Sequence, residues 1–243
     1  MNTRELSYRL ETVAKYILKG QKLADIGSDH AYLPCYAVLT GLVPFAVAGE
    51  VVEGPYLSAK SHVQEEGLSK QISVRMGDGL EVIELDEVDC MTIAGMGGAL
   101  IANILESGKD KIVNLNRLIL QPNISAISIR QWLIANGWQL INEEIIEEDG
   151  KIYEILVAEQ GDPMLPYNQE ETNKSLLLGP FLMKERNLAF QKKWRRELNN
   201  WERILENLKN AQASPENSQR KLELQTKIRY VKEVLANETN ERT

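Results

Sequence analysis

Strand-like and helix-like segments alternate from Lys22 to Gly137, and this alternation limits what the chain can fold into more than any other feature. The strand-like pieces are KLADI, FAVAGEV, ISVRM, VDCMTIAGMGG and RLILQP. Helical segments fall at residues 31–40, PYLSAKSHVQEEG, ALIANILESG and SAISIRQWLIANG, and the turn GDG follows the third strand. Such alternation demands a mainly parallel sheet covered on both faces. After Gly137 the rhythm changes. WQLINEEIIEEDGKIYEILVAEQ reads as two strands joined at Asp149-Gly150, a dipeptide favoured in two-residue hairpins. Before the first strand, Leu6, Leu10, Val13 and Ile17 give an amphipathic helix that stops at Lys19-Gly20.

Composition narrows the class. With 243 residues, 43% of them hydrophobic, the chain can bury a sizeable core, and no apolar run approaches the ~18 residues of a membrane span. The polar N-terminus does not suit a secretory signal peptide, and a cytoplasmic location is expected. Cys35 and Cys90 lie in a predicted helix and a predicted strand, which suits small core residues in a reducing compartment. Only two histidines, His30 and His62, are present, and no metal site is expected.

The charge is unevenly spread. Residues 184–232 hold 13 Lys and Arg against 6 Glu, in a chain whose net charge is −7. An acidic body with a basic C-terminal part suggests a polyanionic partner for that part, although helical hairpins also carry solvated Lys and Arg. Residues 1–160 are expected to form the first domain and 161–183 a linker. In 184–243, Trp194, Leu198, Trp201, Leu205 and Leu208 form one apolar seam, and Leu224, Ile228, Val231 and Leu235 another. Ser214 and Pro215 offer an N-cap and a first helical residue between them, so an antiparallel helical hairpin is expected. Trp194 and Trp201 sit at seam positions, which favours packing over base stacking.

Ligands in open parallel sheets bind beyond the carboxyl ends of the strands. Here those ends read ADIGSDH, AGEV, RMGDG, IAGMGG and LQPN, an unusual concentration of glycine and acid. Gly27 permits a sharp turn and a close ligand approach. Asp25 either orders that loop or accepts a bond from a cationic ligand. Glu50 lies 23 residues after Gly27, the usual place for an acid that accepts both hydroxyls of an adenosine ribose; a lone acid there can also be merely solvated. Asp78 is placed to take an adenine amino group or simply to hold the Gly-Asp-Gly turn. Gly95, Gly97 and Gly98 leave backbone open for a flat base, or serve only close helix packing, with Met96 filling a gap. Asp25, Asp29 and Glu50 together would repel a pyrophosphate, whereas the ammonium and sulfonium of S-adenosylmethionine would be attracted. No phosphate-cradling G-x-x-x-x-G-K-[ST] run occurs. The terminal hairpin agrees, since the methyltransferase variant of the doubly wound sheet has one and an NAD-type double unit does not require it.

The pieces LSYRL at 6–10, ADIGSDHAYLP at 24–34, GEVVEGP at 49–55, MGDGL at 76–80, IAGMGG at 93–98, LILQPN at 118–123 and DGKIYEI at 149–155 occur in that order. In this combination the chain resembles the bacterial tRNA adenine-N1 methyltransferases that act at position 22, the TrmK family. The resemblance implies an α/β class I S-adenosylmethionine-dependent methyltransferase fold, Rossmann-like, with a seven-stranded sheet, a terminal β-hairpin and a C-terminal coiled-coil hairpin that helps bind tRNA. It puts Asp25, Gly27, Ser28, Asp29 and His30 at the methionine end of the cofactor, Glu50 and Val51 at the ribose, and Gly77, Asp78 and Gly79 at the adenine, with Ala94 and Gly95 alongside. Asp29, Gly95, Met96 and Gly97 would position the target base, with no general base identified. The segment AGMGG replaces the N/D-P-P-Y motif that grips an exocyclic amine. N1 already carries an in-plane lone pair, so placement matters more than a base. Candidate substrate contacts are Tyr8, Tyr32 and Tyr153 for stacking, Arg9, Asn123, and Lys192, Lys193, Arg195 and Arg196 on the basic helix. His30 is a candidate proton relay. A monomer is expected, with dimerisation through the coiled coil as the alternative. The competing readings are a methyltransferase of another RNA or of a protein, and a non-catalytic RNA-binding protein on the same fold.

Overall fold

The computed structural model describes residues 5–209 and 214–236. It divides after Pro166 into two compact units. In the first, a seven-stranded sheet carries β1 (Leu23–Ile26), β2 (Ala46–Glu50), β3 (Ile72–Met76), β4 (Cys90–Gly97), β5 (Arg117–Ile124), β6 (Trp138–Glu148) and β7 (Lys151–Gln160). Their order is β3-β2-β1-β4-β5-β7-β6. The first five strands are mutually parallel, and β7 inserts antiparallel between β5 and β6. The β6–β7 connection is the expected tight turn: Asp149 and Gly150 both take positive φ, 50° and 74°. Strands β1 and β2 are buried at every residue, because parallel strands in mid-sheet are covered on both faces. The covering helices are α1 (Tyr8–Ala14), α2 (Tyr32–Leu39), α3 (Glu53–Glu65), α4 (Gly98–Ser107) and α5 (Ala126–Ala135). The reversal of strand order between β1 and β4 opens the crevice in which such sheets hold ligands.

Helix α1 is shorter than its apolar spacing suggests. Ser7 caps it by accepting from Leu10 N–H at 3.3 Å. After Ala14 the amides of Tyr16 and Ile17 turn to carbonyls three residues back, at 3.2 and 3.0 Å. Arg117 then holds the Tyr16 carbonyl at 3.0 Å and Glu144 accepts the Tyr16 hydroxyl, so tertiary bonds end the helix while Ile17 stays buried. On the opposite flank, Arg130 of α5 is wholly buried between Glu143 of β6 and Glu154 of β7, with Nε to Glu143 Oε1 at 2.7 Å and Nη2 to Glu154 Oε2 at 2.6 Å.

The second unit begins at Tyr167. Within residues 161–183, expected as a linker, α6 (Thr172–Leu178) forms, and α7 (Leu182–Glu185) begins there. Leu178 and Leu182 are both fully buried, which explains why the run SLLLGPFL folds rather than staying extended. Gly179 at φ 91° separates the two helices. Helices α8 (Leu188–Lys209) and α9 (Pro215–Ala236) pack against each other, and Ser214 Oγ caps α9 through Asn217 N–H at 3.1 Å. Leu224, Ile228 and Val231 are buried as the spacing indicates, but Val234 takes the last inward position in place of Leu235. Trp194 is buried, its ring tilted against those of Phe190 and Trp201 with centroids 6.1 Å away in both cases. Residues 210–213, where the turn of the expected hairpin falls, and residues 237–243 at its end lie outside the described residues.

Candidate active site at the carboxyl edge of the sheet

The carboxyl ends of β1, β2 and β4, with α1, open onto a cavity of about 410 Å³. Its first wall is the loop after β1. Gly27 takes φ 69°, a conformation that strains an L-residue, and a Cβ there would also displace the Met96 methyl, 2.0 Å away. Asp29, His30 and Ala31 then follow with φ of 36°, 62° and 56°. Left-handed backbone costs an L-residue roughly 1–2 kcal/mol, so three in succession persist only because neighbours hold them. Gly49 accepts from the amides of Gly27 and Ser28 at 2.9 and 3.2 Å. Glu50 accepts the Asp29 N–H, and the His30 carbonyl meets His62 Nδ1 at 2.6 Å.

The electrostatics of this wall are acidic. Asp25 is buried, and its carboxylate accepts from Ser28 Oγ at 2.7 Å and Thr92 Oγ1 at 2.6 Å. Burial pushes its carboxyl above the ordinary range, while the two hydroxyls and the Arg9 charge oppose this. Of its two readings, the geometry supports loop ordering. Glu50 is 7% exposed. Burial also drives its carboxyl upward; the Asp29 N–H works against that, and the charges of Asp25 and Asp29 add to it. A cationic ligand group entering here relieves that repulsion.

The second wall is built by β4 and β5. Gly95 sits at φ 80° where the β4–β5 register shifts between Ala94 and Met96. Its N–H donates to Gln121 Oε1 at 3.1 Å, and its carbonyl accepts from Asn123 Nδ2 at 2.6 Å. Arg9 reaches the same wall from α1, donating to Gln121 Oε1 at 2.6 Å with its guanidinium 5.5 Å from the Tyr153 ring centroid. Among the described residues, no group of three or more His, Cys, Asp or Glu side chains is arranged to hold a metal ion.

With this geometry in view, comparison with known proteins is decisive. The family model described as tRNA (adenine(22)-N(1))-methyltransferase, TrmK, matches residues 23–233. The chain belongs to the TrmK family. A Bacillus subtilis (strain 168) relative named tRNA (adenine(22)-N(1))-methyltransferase is 54% identical over 235 residues, spanning 97% of this chain and 99% of its own. The crystal structure of the B. subtilis m1A22 tRNA methyltransferase TrmK superposes with a TM-score of 0.92 at 54% identity, covering 95% of this chain and 99% of that one. Streptococcus pneumoniae Sp1610, solved in complex with S-adenosyl-L-methionine, gives 0.84 at 44% identity over 95% and 100%.

In this TrmK chain the cavity gathers Asp25, Gly27, Ser28, Asp29, Glu50, Ala94, Gly95 and Met96 from the expected cofactor and base sets. Arg9, Tyr32, Asn123 and Tyr153 join them from the substrate set. Other expected residues lie off its walls. The His30 ring is half-exposed and packs 5.6 Å from Tyr32, because the left-handed turn sends it to the rim. Tyr8 is exposed and anchors α1 through its N–H to Glu148 at 2.5 Å. Val51 is exposed beside the cavity, and Gly97 leads into α4. Gly77 N–H is bonded to the Glu50 carbonyl at 2.9 Å. Asp78 and Gly79 line a separate cavity of about 240 Å³ with Leu100, Ile104 and Lys111. Asp78 N–H also donates to Glu81 Oε2 at 3.2 Å, so the turn-holding reading has direct support. Lys192, Lys193, Arg195 and Arg196 belong to α8 of the second unit, where Lys193 lies 4.8 Å from the Trp194 ring centroid.

Sequence reasoning missed Thr92, which fixes Asp25, and Gln121, which is fully buried. The signal for both was legible in kind: a polar residue in the middle of an otherwise apolar strand requires a partner.

Proposed function

We propose that this chain transfers the methyl group of S-adenosylmethionine to N1 of adenine 22 in tRNA. The observation that carries the reading is the convergence, in one cavity, of three acids, Asp25, Asp29 and Glu50, with Gly95, which presents backbone and no side chain. The residues fit the cofactor. Gly27 removes the side chain that would block close approach, and Glu50, already holding Asp29 N–H, has a second oxygen for the ribose hydroxyls. Asp78, next to the end of β3, is our candidate for the adenine amino group. S-adenosylmethionine, when bound, supplies an electrophilic methyl group on a sulfonium.

The chain's own contribution is placement and charge. Adenine N1 presents its lone pair in the ring plane, so no residue has to remove a proton before transfer. Gly95 offers a flat backbone surface, Tyr32 and Tyr153 offer ring faces, and N1, on the Watson–Crick edge, must be unpaired or flipped to reach them. The methylated base is a cation, which Asp29 and Glu50 stabilise. We assign the reaction to the cytoplasm and the chain to a monomer, the latter because α8 and α9 bury Trp194, Leu224, Ile228 and Val231 within one unit.

Total tRNA incubated with the protein and labelled cofactor is expected to yield labelled 1-methyladenosine at position 22. Label in protein, in ribosomal RNA or in N6-methyladenosine would overturn the reading. For the tRNA interface, replacing Lys192, Lys193, Arg195 and Arg196 by alanine is expected to weaken binding. It should flatten the plot of log affinity against log salt by up to about 3, since each phosphate contact contributes ~0.7–0.9. An unchanged slope would move the contact surface away from α8.

A further inference from the structure

We propose that Gln121 is a positioning residue for methyl transfer, its buried amide holding Arg9 and the Gly95 peptide in one arrangement on the wall that receives the target base. The proposal rests on the reading of this cavity as the site of adenine methylation.

Gln121 lies on β5 with no exposed surface, directly after the apolar run Leu118-Ile119-Leu120. A buried amide in such a strand must satisfy its hydrogen-bonding capacity or destabilise the fold. Here Oε1 accepts from two donors at once, Arg9 Nη1 at 2.6 Å and Gly95 N–H at 3.1 Å. Nε2 donates to Asn123 Oδ1 at 3.3 Å, and Asn123 Nδ2 donates in turn to the Gly95 carbonyl at 2.6 Å. This circuit has one consistent polarity. Reversing the Gln121 amide would set an NH₂ group against both donors, so its orientation is fixed by its partners.

The circuit answers a defect in the sheet. Met96 pairs with Pro122, which has no N–H to give, and the register shifts at that point. The β4–β5 ladder therefore cannot hold the backbone at Gly95, and two side chains of β5 do so instead. A bulge beside a ligand cavity re-aims the backbone, and here it turns Gly95 toward the cavity with φ 80°. The Cβ that Gly95 lacks would stand 3.7 Å from Arg9 Nη1, so the guanidinium and the glycine form adjoining surfaces of one slot. The Tyr153 ring, 5.5 Å away, bounds the guanidinium on another side. The hydrogen bonds of the Gln121 amide thus run to Arg9, Gly95 and Asn123, all on the base-receiving wall.

The test uses the full chain, with methyl transfer to tRNA, calorimetric binding of S-adenosylmethionine and thermal melting read on each variant. Gln121→Met removes the double acceptor. It is expected to bind S-adenosylmethionine within about threefold of the native protein, while kcat falls about 30- to 100-fold, the scale of a misplaced reacting group. Gln121→Asn keeps a buried amide but withdraws the acceptor by one methylene; it is expected to melt like the native protein and still lose kcat about tenfold. Because Gln121 acts through Arg9, the double variant Arg9→Met/Gln121→Met should be no more than about threefold slower than the slower single variant. Native-like kcat in Gln121→Asn overturns the proposal, as do multiplying losses in the double variant. A matched loss of cofactor affinity and kcat would mark Gln121 as merely structural. If the native protein forms no 1-methyladenosine in the same assay, the reading of the cavity falls first and this proposal falls with it.

Discussion

Glu50→Ala is expected to weaken S-adenosylmethionine binding at least about 100-fold by calorimetry while leaving tRNA affinity within a factor of about three. Two bonds from ribose hydroxyls to a carboxylate are worth roughly 1.5–3 kcal/mol each, and each 1.4 kcal/mol is tenfold in affinity. The substitution also removes the acceptor of Asp29 N–H, so the strained turn at Asp29–Ala31 loses one of its restraints. The pH dependence follows from the same residue. Burial, and then the charges of Asp25 and Asp29, raise the Glu50 carboxyl above its ordinary 4.5. For a raised acid, the stabilising contribution to the free protein is present below the unfolded value and is lost as pH rises through the raised one. Cofactor binding runs the other way, because the ionised carboxylate is the better acceptor for the ribose hydroxyls. Affinity should therefore decline as pH falls through that raised range, and Glu50→Ala should flatten the decline. A variant that loses tRNA and cofactor affinity in parallel would show that Glu50 supports the fold rather than the ligand.

Arg130→Met is expected to destabilise the sheet unit by about 3–5 kcal/mol, read as a lower urea midpoint with an unchanged slope. The reason is what remains behind. Glu143 and Glu154 are 2% and 4% exposed, and both lie against the one guanidinium. Removing the cation strands two carboxylates out of water. Replacing all three with apolar residues, as in Arg130→Met/Glu143→Leu/Glu154→Leu, should recover most of the loss, because the desolvation cost disappears along with the pairing. If the single variant is as stable as the native protein, the triad is not the tie between α5 and the hairpin that its burial indicates.

These two residues differ in how far they could be read in advance. Glu50 was legible because its position, at a strand end 23 residues beyond Gly27, carries meaning in an open parallel sheet. The Arg130 triad was not, since Glu143 and Glu154 stand 13 and 24 positions from Arg130 and no local pattern links the three. The same contrast runs through the cavity. Asp25, Gly27, Asp29, Glu50 and Gly95 were drawn from local strand–turn chemistry, and the fold brings them together. Arg9 and Tyr153 were only candidates, because nothing local shows that Arg9 of α1 reaches both Gln121 of β5 and the Tyr153 ring of β7. His30 was read toward the ligand, and the run of positive φ turns its ring to the rim instead.

By itself the sequence determined the succession of elements, the parallel sheet with its antiparallel terminal hairpin, and the acidic character of the ligand edge. These follow from periodicity, turn residues and strand-end composition, all of which act over a few residues. Only the tertiary structure decided which oxygen holds which proton. The bulge at Gly95, the double acceptor at Gln121 and the buried guanidinium at Arg130 arise where distant strands and helices exclude water. A polar group's partner there is set by what the fold places within 3 Å of it, a distance that sequence spacing does not encode.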